Sequence, residues 1–202
     1  MARPITYDRN EVLDKVVNLF WLQGFSATSI SQLVKATDMK PASLYAAFDS
    51  KEGIFHASVD HYGRRSVDMI SHLLEDNVSP MAGLKAYFNG LRVMSEKPED
   101  EESRRGCFLV NTLLEMGPIN TSIRDQVFYY LDQIEAVFRT SLQRAKELDE
   151  VASDTDVIVQ AKVIMNTIRG LRVLHRAGGS VETLDIIVAQ LYHSMGVVAV
   201  KK

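Results

Sequence analysis

Five prolines and eleven glycines in 202 residues are few. Most fall between long stretches whose apolar residues recur every three or four positions. That punctuation constrains the fold more than any other feature. A 3.6-residue period lines apolar side chains along one helical face, whereas a strand alternates every second residue, and no alternating segment competes. From about Arg9 to Gln23 the period aligns Val12, Val16, Leu19 and Phe20, widened by Val17 and Trp21. Asp8 suits the N-cap of this helix and Gly24 its C′ position. Further helices are predicted from Ser50 to about Asp76, Pro80 to Glu96, Ser103 to Met116, Ser122 to Leu148, Asp154 to Arg176 and Glu182 to Val200. Gly117-Pro118 stops one, and Ala177-Gly178-Gly179-Ser180 separates the last two. The charged run Glu96–Glu102 reads as a solvated loop. The fold class expected is all-α, with about nine helices.

Composition narrows the function classes. At 46% apolar and 24% charged, the chain can bury a core without staples. A net charge of −3 rules out a polybasic coat. One cysteine excludes an internal disulfide framework and a multi-cysteine zinc site. There is no apolar leader and no run of about 18 apolar residues, so the expectation is a soluble cytoplasmic protein that does not enter a membrane. No glycine-rich phosphate loop or nucleophile elbow is present. His56 with Asp60 and His61, or His72 with Asp76, could suggest metal ligands, but such pairs are common on helix faces. The chain is therefore read as a non-enzyme with no metal and no cofactor.

The functional signal lies between Thr28 and Phe55, TSISQLVKATDMKPASLYAAFDSKEGIF. Ser29 and Gln32 have capping-box spacing before Ile30, Leu33 and Val34. Asp38-Met39-Lys40 makes a short turn, and Pro41 suits the first turn of the next helix. Two short helices about a three-residue turn form a helix-turn-helix, whose second helix can enter the DNA major groove. Ile30, Leu33 and Val34 would pack on Leu44 and Phe48, leaving Pro41, Ala42, Ser43 and Tyr45 near the exposed face. Small residues let such a helix sit deep, and the Tyr45 hydroxyl can reach a phosphate. Thr28 and Lys51, at two helix N-termini, are further phosphate candidates. Residues 1–51 carry six basic and five acidic residues, a net of +1, so the placement of Lys40, Lys51 and Arg3 matters more than their sum.

Gly24-Phe25, Thr28-Ser29-Ile30, Ala42-Ser43-Leu44-Tyr45, Phe48 and Ser50-Lys51-Glu52 together resemble the N-terminal domain of TetR-family transcriptional regulators. The match is dense over about 50 residues; the remainder agrees in length, helix count and breaks. The resemblance implies a helix-turn-helix domain over residues 1–50 and an effector-binding and dimerisation domain over 51–202. It also implies a homodimeric repressor of a double-stranded DNA operator, released by a small effector whose identity the sequence does not give. The family often carries aromatic or polar residues where this chain has Ala46 and Ala47. Base contacts then fall mainly on Lys40, Ala42 and Ser43.

In the C-terminal part, Val157, Ile158, Ala161, Ile164, Met165, Ile168 and Leu171 line one helix, and Leu184, Ile187, Val188, Leu191 and Met195 the other. They suit internal core helices, or a four-helix dimer interface as the resemblance implies. Candidate pocket residues are Tyr87, Phe88, Met94, Cys107, Phe108, Asn111, Phe128, Phe138, Arg172 and His175, although each aromatic also suits plain core. Cys107 follows Arg104-Arg105-Gly106 in the first turn of its predicted helix, where cations and the helix terminus favour thiolate. It reads either as a small buried packing residue or as a sensor of electrophiles or oxidants. A helical protein-interaction adaptor is the remaining alternative.

Overall fold

The computed structural model describes residues 7–96 and 103–197; among them are nine α-helices, one 3-10 turn and no strand, as the periodicity predicts. Helix α1 spans Arg9–Ala27, α2 Ile30–Thr37, α3 Pro41–Phe48 and α4 Lys51–Glu75. After α5 (Pro80–Ser95) and a 3-10 turn (Ser103–Arg105) come α6 (Phe108–Met116), α7 (Thr121–Glu147), α8 (Val157–Arg176) and α9 (Val181–Ser194). Side-chain caps set most starts. Asp8 accepts from Asn10 N at 2.8 Å, Ser50 from Gly53 N at 3.0 Å and Asn120 from Ile123 N at 3.0 Å. The run 97–102 and Arg3 lie outside the described residues.

Two expectations need correction. Helix α1 does not end at Gly24. That glycine kinks it at φ +82°, and a further turn continues to Ala27. The helix expected from Ser103 is a 3-10 turn first, and α6 starts only at Phe108 because Gly106 takes φ +72°. Cys107 is therefore the N-cap residue of α6, not part of its first turn.

Helices α1–α3 form a small three-helix unit around Val16, Phe20, Leu33, Leu44 and Phe48, all buried. Helix α4 leaves this unit and runs into the larger body, where it packs along α7. The two come close because Gly63 has no side chain: a Cβ there would sit 2.3 Å from the Tyr130 ring. The Tyr130 hydroxyl also donates to Asp60. An aromatic joint ties α1, α4 and α6 together. Phe55 meets Phe20 and Phe25, each at 4.9 Å between centroids, and Phe108 meets Tyr62 at 5.4 Å. Such edge contacts add about 0.5–1.5 kcal/mol each beyond simple burial. Among the described residues no helix is long and apolar enough to cross a membrane.

Candidate nucleic-acid interface and effector chamber

The helix-turn-helix is built by local chemistry. Ser29 and Gln32 form the full capping box: Gln32 N donates to Ser29 Oγ at 3.2 Å, and Ser29 N to Gln32 Oε1 at 2.7 Å. Helix α2 ends at Asp38, whose left-handed φ of +57° reverses the chain. Met39 is buried in the turn, and Pro41 opens α3 as its first residue. Leu44 and Phe48 anchor α3 from beneath. The helix therefore stands on two apolar pegs with its other face outward.

That outward face carries most of the expected DNA contacts. Lys40, Pro41, Ala42 and Ala46 are exposed, Tyr45 is 42% exposed, and Ser43 is half-buried. Lys51 is half-buried, its ammonium 4.4 Å above the Phe25 ring at the start of α4. Thr28 does not fit its expected part. It is only 1% exposed, and its hydroxyl donates to Gly24 O at 2.6 Å, closing the kink of α1. The exposed hydroxyls at that helix start belong to Ser29 and Ser31.

The expected pocket residues do not converge on one site. Met94 and Arg172 line a cavity of about 640 Å³, whose other walls include Trp21 on α1 and Tyr62, Ser66 and Met69 on α4. Arg172 reaches Met94 Sδ at 3.8 Å, and its deeply set guanidinium lies beside Tyr87, Cys107 and Tyr62. Burial works against its charge, but these neighbours more than offset that and hold it cationic. Burial first, then Cys107, pushes the Tyr62 phenol well above its usual range, so it remains a donor. Cys107 is half-buried and lines neither this cavity nor the cleft between α1 and α6. His175 is buried, and its pKa is lowered first by that burial and then by Arg172. Tyr87, Phe88 and Phe138 pack edge to face in the core instead. Phe108 and Asn111 line a separate cleft of about 440 Å³ between α1 and α6. Phe128 is 41% exposed on α7, where its helical phase turns it outward, so it lines neither.

Comparison with known proteins agrees with this arrangement. The model for bacterial regulatory proteins of the tetR family matches residues 12–58, and that for the tetracyclin repressor-like C-terminal domain matches residues 80–191. The chain belongs to the TetR family. It is 30% identical over 184 residues to the HTH-type transcriptional repressor ComR of Escherichia coli K12, covering 91% of this chain and 86% of that one. It is 26% identical to the biofilm operon negative regulator IcaR of Staphylococcus epidermidis, over 61% of this chain and 69% of that one. Among solved structures, a cysteine mutant of the TetR-family regulator CifR, complexed with 26-bp operator DNA, superimposes with a TM-score of 0.79 at 27% identity. The superposition covers 96% of this chain and all of that one.

This TetR-family chain is thus a DNA-binding transcriptional regulator. The cavity also draws on residues that helical periodicity assigns to the core. Trp21 and Val17 belong to the apolar stripe of α1, yet both line the cavity. No motif in the sequence singles out Tyr62. Its only signal was an aromatic residue one turn before Ser66 on a helix otherwise rich in charge. The His/Asp pairs take structural parts: His56 Nδ1 meets Gln126 Oε1 at 2.7 Å, and His61 Nε2 meets Asp14 Oδ1 at 2.8 Å.

Proposed function

We propose that the protein is a homodimeric, cytoplasmic repressor that leaves its operator when a small molecule fills the chamber between Tyr62, Met94 and Arg172. Residues 1–50 form the DNA reader and 51–202 the effector and dimerisation domain. The observation that carries the repressor reading is the outward face of α3, small-sided at Ala42 and Ala46 and held on Leu44 and Phe48. Similarity to ComR, a named repressor, and to CifR in complex with operator DNA supports it. Helices α8 and α9 bury one apolar face and leave another exposed, including Ile158 and Ile186, which suits pairing with a second copy. Two copies would place their recognition helices about 34–36 Å apart, in successive major grooves.

The chamber suits a small molecule with an apolar body and one hydrogen-bond acceptor. Trp21, Met69 and Met94 supply adaptable apolar walls, and Arg172 and Tyr62 supply donors. Such a ligand releases DNA only by binding the spread form of the dimer more tightly than the DNA-fitting form. A salt-dependent titration on DNA upstream of the protein's own coding region tests the regulator. Tight, sequence-selective binding supports it; equal weak binding to all DNA, including pools selected from random sequence, refutes it.

One observation favours a second, narrower reading of the trigger. Cys107, the N-cap residue of α6, lies beside Arg172, which lines the chamber. An effector with a carbonyl-activated carbon–carbon double bond would take the sulfur electron pair at its β-carbon, forming a C–S bond as the π bond breaks and the thiol proton passes to the α-carbon. Cys107→Ser should then keep operator binding but lose release by such compounds. Unchanged release by the variant sinks this trigger.

A further inference from the structure

The kink at Gly24 turns the backbone N–H groups of Phe25 and Ser26 out of the α1 ladder, creating a fresh helix start inside the DNA-binding unit. Their acceptor is not local. Glu115, on α6 of the larger body, takes Phe25 N on Oε2 at 3.0 Å and Ser26 N on Oε1 at 2.9 Å. The carboxylate fits because position 24 is glycine: a Cβ there would lie 2.6 Å from Oε2. A charged acceptor on two backbone N–H groups makes charge-assisted bonds, which are stronger than neutral ones.

The cap sits at a mechanically decisive place. The turn it holds leads through Thr28, whose hydroxyl is tied to Gly24 O, into the Ser29 capping box of α2. Helix α2 in turn supports α3. At its other end α6 is pinned to α1 through one carbonyl: Arg105 O accepts from Trp21 Nε1 at 3.1 Å and from Asn111 Nδ2 at 2.8 Å. Arg105 Nη1 also reaches Asn18 Oδ1 of α1 at 3.2 Å, and Phe108 meets the Trp21 ring, but among these described contacts the Glu115 grip is the one at the entry to the helix-turn-helix.

We infer that Glu115 is a positioning residue for DNA binding: by capping Phe25 and Ser26 across the domain boundary, it sets the angle of the recognition helix relative to the body. The inference rests on the chain being a DNA-binding regulator and is independent of any effector. Without the carboxylate each domain keeps its own core, but α2 and α3 swing about α4.

The test reads that angle directly. Spin labels are placed at Ala46→Cys on α3 and Thr140→Cys on α7, both exposed positions, in a Cys107→Ser background. Labelled chains are mixed with excess unlabelled protein, so that electron–electron distances report pairs within one chain. With Glu115 present the distance distribution should be single and narrow. Glu115→Ala and Glu115→Gln should widen it at least twofold, and helix content by circular dichroism should stay unchanged. Affinity for DNA selected by the parent protein should fall about tenfold, the order expected for loss of a charge-assisted bond. Gln keeps the volume but offers one acceptor and turns an N–H donor toward the second backbone N–H, so it decides the matter if the Ala variant fails to fold. An unchanged width in a folded variant overturns the inference, whatever happens to DNA affinity.

Discussion

At the scale of single residues, Thr28 and Lys51 occupy neighbouring places in the motif but do different work. Thr28 is buried, with its hydroxyl spent on Gly24 O, whereas Lys51 sets its ammonium over the Phe25 ring at the start of α4. The residue types alone do not separate these parts, because Thr at a helix start and Lys in a first turn both suit phosphate contact. Lys51→Ala should weaken operator binding about equally across sequences and reduce the slope of log K against log salt by about one. A titration series from low to physiological salt checks this, and an unchanged slope removes Lys51 from the phosphate contacts. Tyr45→Ala should cost about 1 kcal/mol of DNA affinity, roughly fivefold, and little stability, since the ring is largely exposed. His175 belongs to the body and makes a different prediction. The fold favours its neutral form, first by burial and then through Arg172. Stability is therefore present above the free imidazole value of about 6.5 and declines as pH falls through and below it. Replacing His175 with Asn should flatten that decline in urea melts between pH 7 and 5.

At the scale of elements, the sequence shows where helices start better than how they bend or meet. Caps and prolines are local, so Asp8, Ser29, Pro41, Ser50 and Pro80 mark their helices plainly. The late start of α6 follows from the positive φ of Gly106, whereas the kink at Gly24 is capped by a partner about 90 residues away, which no short window contains. The same holds for contacts between helices. Asp14 on α1 takes both His61 and Arg65 of α4. Burial tends to raise its pKa, but His61 and Arg65 outweigh that and leave it lowered. Its contribution is therefore present above the ordinary carboxylate value of about 3.9 and is lost as pH falls through the depressed one. Because Asp14 and Arg65 are both substantially exposed, Asp14→Asn should cost less than about 1 kcal/mol at pH 7. The difference between variant and parent should vanish in melts at acid pH. Gly63 makes a sharper case. A methyl there would meet the Tyr130 ring at 2.3 Å, so Gly63→Ala should force α4 from α7 and destabilise the fold by about 1–3 kcal/mol. Pairing it with Tyr130→Phe, which keeps the ring, should give no rescue, whereas Tyr130→Ala should restore part of the loss.

At the scale of the whole molecule, the all-α plan was legible because period and breaks extend along the chain. The chamber was legible only in Met94 and Arg172, since helical period tells which residues turn inward but not which of them leave space between them. Phe88 and Phe138 turn inward and fill the core; Tyr62 and Arg172 turn inward and border a cavity. The outer faces of α8 and α9 stand apart from both. Val163 is 40% exposed on α8 and Ile186 is 63% exposed on α9, so neither is needed to complete the core of a single chain. A charge at either position should then leave helix content and monomer packing almost unaffected. If these faces pair two copies, a buried glutamate in that interface is strongly unfavourable, and Val163→Glu with Ile186→Glu should yield monomers by sedimentation. DNA affinity should fall by about a hundredfold or more, because a dimer gains its second half-site at a high effective concentration that a monomer lacks. Binding to an isolated half-site should not change. A double variant that sediments as a dimer would place the interface elsewhere, and one that is monomeric yet binds the full operator as tightly as the parent would show that two half-sites are not read together.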